Sequence, residues 1–341
     1  MSGLYELDTP SVAIDLDAVE RNIARMQAYC DEHGLALRPH VKTHKLPSIA
    51  AWQLEAGAVG ICCQKIGEAE VFVEAGARDV FVTFPIVGER KLARLADLAG
   101  SARVLVAVDS AEALEQLAAS GADVDVVVDC DTGFGRTGVQ SPAEAAALAR
   151  AVAAAGLRFE GFMTYPAPPG CDTWLGEARE LAAGGTISVG GTPAAFSTHE
   201  LSGVTELRPG TYVYGDRACI ANGSVPQEDC ALRVVATVVS RPTADRAILD
   251  AGSKALTSDL ARGAEGHGLI VEYPDARLPQ LSEEHGHVDL SACENRPRIG
   301  EAVTVIPNHA CVVSNQVDEV VVHRSGTVEG AIPVAARGRI R

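Results

Sequence analysis

The run Arg38-Pro39-His40-Val41-Lys42-Thr43-His44-Lys45 sets one amine between two imidazoles at every second position. On a strand, alternation sends His40, Lys42 and His44 to one face and Val41 and Thr43 to the other. An amine held in a partly dry site becomes a neutral nucleophile able to form a Schiff base, and that is the chemistry this cluster suggests. A solvated lysine beside two hydrogen-bonded histidines would give the same run. Further on, Ser188-Val189-Gly190-Gly191-Thr192-Pro193 offers backbone N–H groups that two glycines let an anion approach, as a phosphate requires. An ordinary glycine turn before Pro193 is the alternative. Tyr212 and Tyr214 share a face if they end a strand, and either could reach the same phosphate. His309 and Cys311, also two apart, would form one side of a metal site on or beside a strand. Two protein ligands are too few for structural zinc and point to a catalytic ion with open positions. A thiolate with an imidazole favours Zn²⁺ over Mg²⁺. A buried cysteine beside a surface histidine is the plainer reading.

Those residues need elements to hold them. Short β-branched runs alternate with Ala/Leu/Glu-rich segments of helical period, the pattern of repeated βα units. The candidate strands are Ala36–Lys42, Val59–Lys65, Asp79–Phe84, Arg103–Asp109, Asp123–Asp131, Phe159–Pro166, Thr186–Gly191 and Leu207–Tyr214. Helical patterns lie between them near Leu16–His33, Leu46–Ala56, Glu68–Ala75, Glu89–Leu98, Ala111–Ala119, Pro142–Ala155 and Thr173–Ala182. Eight strands predict an α/β fold with an N-terminal (β/α)₈ TIM-type barrel; an open doubly wound sheet is the alternative. In such a barrel functional residues gather at the C-terminal strand ends, where Lys42, Tyr165, Gly190, Gly191 and Tyr212 fall. Arg136 stands just after the fifth strand. Lys45, on the face opposite Lys42, is expected to open the next helix. After about Cys230 the segments Ala231–Ser240, Arg246–Ala251, Leu269–Glu272, Ala302–Pro307 and Glu319–His323 read as strands with no clear helix between them. The expected division is a barrel over residues 1–230 and a C-terminal all-β domain over 231–341. A strand-like Thr9–Ile14 leaves open which of the two takes the first ten residues.

The chain has 341 residues, with 29 Lys+Arg against 45 Asp+Glu and a formal net charge of −16. So negative a chain, with no long basic stretch, disfavours nucleic-acid binding. A hydrophobic fraction of 47% supports a sizeable core and rules out disorder as the main state. Nine scattered cysteines without a CxxC pair suit reduced thiols in a cytosol, most of them as small core residues. The apolar stretches are too short to cross a bilayer, and the first residues lack a basic segment followed by an apolar one, so a cytoplasmic location is expected.

The run RPHVKTHK resembles the cofactor-lysine segment of pyridoxal-phosphate enzymes of the alanine racemase fold. The branch it is similar to is that of D-threonine aldolases and eukaryotic-type D-serine dehydratases. Further matches follow in order: Gly60-Ile61-Cys62-Cys63-Gln64-Lys65, Asp131-Thr132-Gly133-Phe134-Gly135-Arg136-Thr137-Gly138, Val204-Thr205-Glu206-Leu207-Arg208-Pro209-Gly210-Thr211-Tyr212, Asp250-Ala251-Gly252-Ser253-Lys254-Ala255-Leu256, Leu281-Ser282-Glu283-Glu284-His285-Gly286 and Pro307-Asn308-His309-Ala310-Cys311. The resemblance implies that Lys42 carries pyridoxal 5'-phosphate, with Arg136, Gly190, Gly191, Thr192 and Tyr212 as further cofactor contacts. It implies that Lys42, His40 and Tyr165 are the catalytic candidates. It also implies that His309 and Cys311 hold a divalent ion, with Zn²⁺ ahead of Mn²⁺ and Mg²⁺, and that the chain forms a homodimer with a shared active site.

These parts serve two reactions on a D-3-hydroxy amino acid. Cleavage of Cα–Cβ gives glycine and an aldehyde, as in a D-threonine aldolase. Removal of the Cα proton followed by loss of the hydroxyl gives a 2-keto acid and ammonia, as in a dehydratase of D-serine, D-threonine or 3-hydroxyaspartate. Met163-Thr164-Tyr165-Pro166 departs from many aldolases of this branch, which carry a histidine after the tyrosine. The His-x-Cys pair is also more dehydratase-like. The overall run of motifs resembles the aldolases, which lead here. A racemase needs a second base for which the β-domain offers only Tyr273, and a non-catalytic cofactor carrier would resemble the barrel alone.

Overall fold

A computed structural model describes residues 3–341, which form two compact units. One takes the chain up to Ala24, Thr43–Lys45 and Thr211–Arg337; the other takes Arg25–Lys42, Leu46–Gly210 and Gly338–Arg341. The boundary after the eighth barrel strand thus falls at Gly210–Thr211 rather than after residue 230. The cause is local hydrogen bonding: Asn22 Nδ2 donates to the carbonyls of Val213 (3.2 Å) and Asp229 (2.8 Å), tying residues 211–230 to the first helix.

That helix follows the first strand. β1 (Ser11–Asp15) runs into α1 (Leu16–Glu32), whose first turn is capped by Asp15 Oδ1 accepting from the N–H groups of Asp17 (3.0 Å) and Ala18 (3.3 Å).

The barrel unit contains β2 (Ala36–Leu37), β3 (Ile61–Cys63), β4 (Asp79–Val82), β5 (Arg103–Val108), β6 (Asp125–Asp129), β7 (Arg158–Thr164), β8 (Thr186–Gly190) and β9 (Glu206–Arg208). Between them lie α2 (Pro47–Glu55), α3 (Ile66–Glu74), α4 (Glu89–Ala99), α5 (Ala111–Ala119), α6 (Pro142–Ala154) and α7 (Cys171–Ala182). Each strand overlaps the segment predicted for it. All pairs are parallel, in the order β2-β9-β8-β7-β6-β5-β4-β3. The two ends join through His40 bridging Cys62, with Cys62 N–H donating to Pro39 O at 2.8 Å and Val59 N–H to Leu37 O at 2.9 Å. The barrel is closed, and the open-sheet alternative falls. Cys62, Phe81, Leu105, Ala107, Val127 and Met163 fill its interior from five adjacent strands. Helix starts follow local chemistry: Ser110 and Ser141 accept from the N–H groups of Ala113 and Glu144, both at 3.3 Å, and Pro142 occupies the first turn of α6.

The N-terminal strand ends are tied by charge. Arg103 reaches Asp125 (2.7 Å), Glu160 (2.9 Å) and Asp79 (3.0 Å), and Arg38 reaches Glu206 (2.8 Å) and Asp79. Arg158 adds bonds to Asp123 (2.8 Å) and Asp125. That end of the barrel is occupied by structure, which leaves the opposite end for chemistry.

The second unit is mostly sheet: β10 (Leu232–Thr243), β11 (Arg246–Leu249), β12 (Gly268–Ile270), β13 (Arg277–Leu281), β14 (Gly286–Asp289), β15 (Ala302–Pro307), β16 (Glu319–Arg324) and β17 (Thr327–Pro333). It also holds three short helices, α8 (Arg217–Ala221), α9 (Ser253–Leu256) and α10 (Ala310–Gln316), where the sequence showed no clear helix after Cys230 for the last two. β1 pairs with β10 antiparallel and with β16 parallel, so the first strand of the chain lies inside this sheet. Among the described residues no cysteine is paired with another; eight are buried and Cys311 is half-buried. Among the described residues no helix is long and apolar enough to cross a membrane.

Candidate active site

Two strands stop early for the same reason. β2 and β9 each run into an Arg-Pro pair, Arg38-Pro39 and Arg208-Pro209, and proline has no N–H to continue a ladder. Beyond it the chain coils into 3₁₀ turns at Val41–Thr43 and Thr211–Val213. The alternation expected for His40, Lys42 and His44, and for Tyr212 and Tyr214, therefore does not exist. His44 is buried, edge-on to Tyr214 with ring centroids 6.3 Å apart, and both belong to the β-rich unit. Tyr212, also of that unit, is buried in its turn. Lys45 does not open α2; it adopts a left-handed backbone (φ 56°) and its Nζ donates to Ala336 O at 3.3 Å.

In the barrel unit, four of the expected residues gather about a fifth. The half-buried Lys42 places its Nζ 5.9 Å from the centroid of the Tyr165 ring. The Arg136 guanidinium lies 5.0 Å from the same centroid. A Cβ added to Gly190 would stand 3.1 Å from Tyr165 Cδ2, and one added to Gly191, whose φ is +119°, would stand 3.3 Å from Tyr165 Cε2. Any larger residue at either position would press into the ring. Thr192 follows, buried.

His40 takes a supporting place. The Lys42 N–H donates to His40 Nδ1 at 3.4 Å, which puts the ring proton on Nε2, 3.1 Å from Gln64 Oε1 and 3.2 Å from Thr83 Oγ1. The imidazole thus holds the turn that presents Lys42.

Gln64, Thr83, Arg208 and Phe134 are site neighbours that motif reading did not single out. Arg208 is buried, donating from Nε to Ser188 Oγ (2.7 Å) and from Nη2 to Thr164 O (2.8 Å). Its Nη1 would be 3.4 Å from a Cβ on Gly190. Burial pushes the Asp129 carboxyl up at the end of β6, against the Thr137 hydrogen bond and the Arg208 charge. The signal for Arg208 was the Arg-Pro-Gly-Thr-Tyr run itself. Gln64 lies in the Gly60-Ile61-Cys62-Cys63-Gln64-Lys65 run, which gives it no role of its own, and nothing local marks Thr83, whose partner His40 is remote in sequence.

An aromatic phosphate bearing an aldehyde asks for an amine, fixed cations and bare backbone. Lys42, Arg136, Arg208 and the glycine pair under Tyr165 supply that set, so the residues fit pyridoxal phosphate.

The β-rich unit holds the other pair. His309 is the residue before α10 and Cys311 lies in its first turn, so helix geometry replaces the strand geometry expected for them. The break comes from Asn308, whose Nδ2 donates to the carbonyls of Asp259 (2.9 Å) and Gly266 (2.8 Å), and from Asp216, whose Oδ2 accepts the Ala310 N–H at 3.2 Å. His309 Nδ1 meets Asp259 Oδ2 at 2.6 Å. Its imidazole also bonds Cys311, and that bond with the thiol's charge, Asp259 and Asp216 lifts its pKa to about 9 against burial. Cys311 Sγ lies 3.2 Å from Thr43 Oγ1 and 3.6 Å from Thr211 Oγ1. Tyr214 Oη, buried, has no hydrogen-bond partner, and burial first, then Cys311, pushes its pKa up. Among the described residues no group of three or more His, Cys, Asp or Glu is placed to hold a metal ion. An imidazole steadied by a carboxylate beside a thiol is a soft donor set that fits a divalent ion with open positions.

Comparison with known proteins agrees with this architecture. Residues 14–218 match the family model for the alanine racemase N-terminal domain, and residues 231–323 match that for a putative serine dehydratase domain. The chain is similar to a D-threonine aldolase of Arthrobacter sp, 38% identical over 98% of this chain and 94% of that protein. It is similar to the crystal structure of D-threonine aldolase from Filomicrobium marinum, with a TM-score of 0.88, 35% identity and coverage of 100% and 99%. It also resembles a mutant of D-threo-3-hydroxyaspartate dehydratase solved in a metal-free form, with a TM-score of 0.86, 30% identity and coverage of 98% and 99%.

Proposed function

The chain belongs to the alanine racemase-like family of pyridoxal-phosphate enzymes, and from that membership we propose that it is a lyase cleaving D-3-hydroxy amino acids of the D-threonine type to glycine and an aldehyde. The observation that carries the reading is the gathering of Lys42, Arg136, Gly190 and Gly191 about Tyr165, in a chain similar over nearly its whole length to a D-threonine aldolase.

When bound, pyridoxal phosphate draws electrons from a substrate's Cα, and a divalent ion, Zn²⁺ by the softness of the donors, acts as a Lewis acid on a hydroxyl. The amine of Lys42 holds the cofactor and exchanges protons at Cα. His40 keeps the Lys42 turn in place, with its proton committed to the Gln64 side. Tyr165 supplies a flat face against which a ring is oriented, and the bare backbone of Gly190 and Gly191, with Thr192, receives the phosphate. Arg136 and Arg208 offset the anion's charge. His309 and Cys311 hold the ion, with Asp259 fixing the imidazole. In the cleavage the β-hydroxyl loses a proton, Cα–Cβ breaks and Cα gains a proton. Pro166 follows Tyr165, so no histidine stands there to take the first proton.

A second reading, a dehydratase giving a 2-keto acid and ammonia, is favoured by two observations: the pair contains the thiol of Cys311, and the structure is similar to a hydroxyaspartate dehydratase. In that case Lys42 takes the Cα proton. Product analysis on D-threonine and D-serine separates the two. Glycine with acetaldehyde is the expected result, whereas 2-oxobutanoate or pyruvate with ammonia would transfer the protein to the dehydratases. Chelation is expected to abolish turnover, with Zn²⁺ or Mn²⁺ restoring it; turnover that survives chelation would remove the metal from the scheme. The reading includes a cytoplasmic homodimer, and a light-scattering mass equal to a single chain would sink that part.

A further inference from the structure

The loop after β6 carries an aromatic ring that packing does not explain. Phe134 is 54% exposed, yet it stands at 90° to Tyr165 with centroids 5.9 Å apart. The Arg136 guanidinium sits in the corner so formed, 5.4 Å from one centroid and 5.0 Å from the other. A cation in such a corner is attracted by both ring faces. One carboxylate shapes the loop: Asp131 Oδ1 accepts the N–H groups of Gly133 (2.9 Å), Phe134 (2.8 Å) and Gly135 (3.1 Å), and Oδ2 accepts Gly135 again at 3.0 Å. Those bonds, that from Gly135 foremost, hold the Asp131 carboxyl below the usual range. At its base the loop is closed by Asp131 N–H to Val139 O and Val139 N–H to Asp129 O, both 3.0 Å, and Thr132 Oγ1 meets Thr164 Oγ1, next to Tyr165, at 2.8 Å.

We propose that Phe134 and Asp131 are positioning residues: Asp131 fixes the loop, Phe134 closes an aromatic corner with Tyr165, and the corner sets where the Arg136 cation stands toward the cofactor. The inference rests on reading the Tyr165 cluster as the cofactor site. It explains why a large apolar ring is kept exposed and why the loop spends a carboxylate on its own backbone.

The test is titration of the full-length apoprotein with pyridoxal phosphate, followed by absorbance and by intrinsic fluorescence. Phe134→Leu is expected to weaken binding about five-fold, the size of a partly exposed cation–aromatic contact. Phe134→Tyr, which keeps the ring face, is expected to bind as wild type does. Asp131→Ala is expected to lose about as much as Phe134→Leu, while Asp131→Asn, which retains an acceptor oxygen, recovers most of it. Combining Phe134→Leu with Arg136→Lys is expected to bind no more weakly than Arg136→Lys alone, since the ring acts through the guanidinium. Wild-type affinity in Phe134→Leu, or losses that multiply in the double variant, overturns the proposal while leaving the cofactor site standing. A wild type that takes up no cofactor overturns the cofactor site and this inference with it.

Discussion

Single side chains decide whether the site exists. Among the described residues Lys42 is the one amine facing Tyr165, so Lys42→Ala is expected to abolish the visible absorption band of the cofactor-loaded protein. A band that persists unchanged would move the attachment to another lysine. Around Lys42 the chain uses neighbours whose partners are far off in sequence: His40 finds Gln64 and Thr83, and Gly190 lies against both Tyr165 and Arg208. Residue types that carry chemistry at fixed spacing, such as Lys42 between histidines or the Gly190-Gly191 pair, could be picked out from the chain alone. Gln64 and Phe134 lie within runs that match the family, yet their roles, like that of Thr83, could not be read there, because glutamine, threonine and phenylalanine are ordinary until folding brings them to an imidazole or a guanidinium.

At the scale of elements, β-branched runs such as Arg103–Val108 and Asp125–Asp129 mark buried parallel strands directly, and serine before an Ala-rich segment marks the start of α5 and α6. What misled was the length of two strands. Arg38-Pro39 and Arg208-Pro209 look continuous with their apolar neighbours, but a residue without an N–H ends the ladder and turns the expected faces of Lys42 and Tyr212 into 3₁₀ corners. The register between β7 and β8 depends on a missing side chain: a Cβ on Gly161 would collide with the carbonyl oxygen and hydroxyl of Thr186, its paired residue. Gly161→Ala is expected to destabilise the fold by about 2 kcal/mol. Urea unfolding measures it, and an unchanged midpoint would show that β7 can shift without cost.

Across the whole molecule, buried titratable groups tie stability to pH. His323 on β16 is 5% exposed with neither ring nitrogen hydrogen-bonded, and burial, opposed by the Asp15 charge, holds its pKa below the ordinary imidazole value. Above that ordinary value the imidazole is neutral folded or unfolded and contributes no pH dependence. As pH falls through it the unfolded chain takes up the proton first, so the folded state loses stability until its own lowered pKa is reached. Melting temperature is therefore expected to drop below about pH 6.5, and His323→Phe to flatten that part of the curve. An equally steep fall in the variant would assign the proton to another group.

The position of β1 has a consequence in time. Ser11–Asp15 leaves the ribosome before either strand it pairs with, β10 beginning at Leu232 and β16 at Glu319. Throughout synthesis of the barrel both of its hydrogen-bonding edges stand open, as an unpaired edge strand does. This strand is thus among the last to be paired, and a nascent chain stalled before β16 carries an open edge that only synthesis of β16 covers.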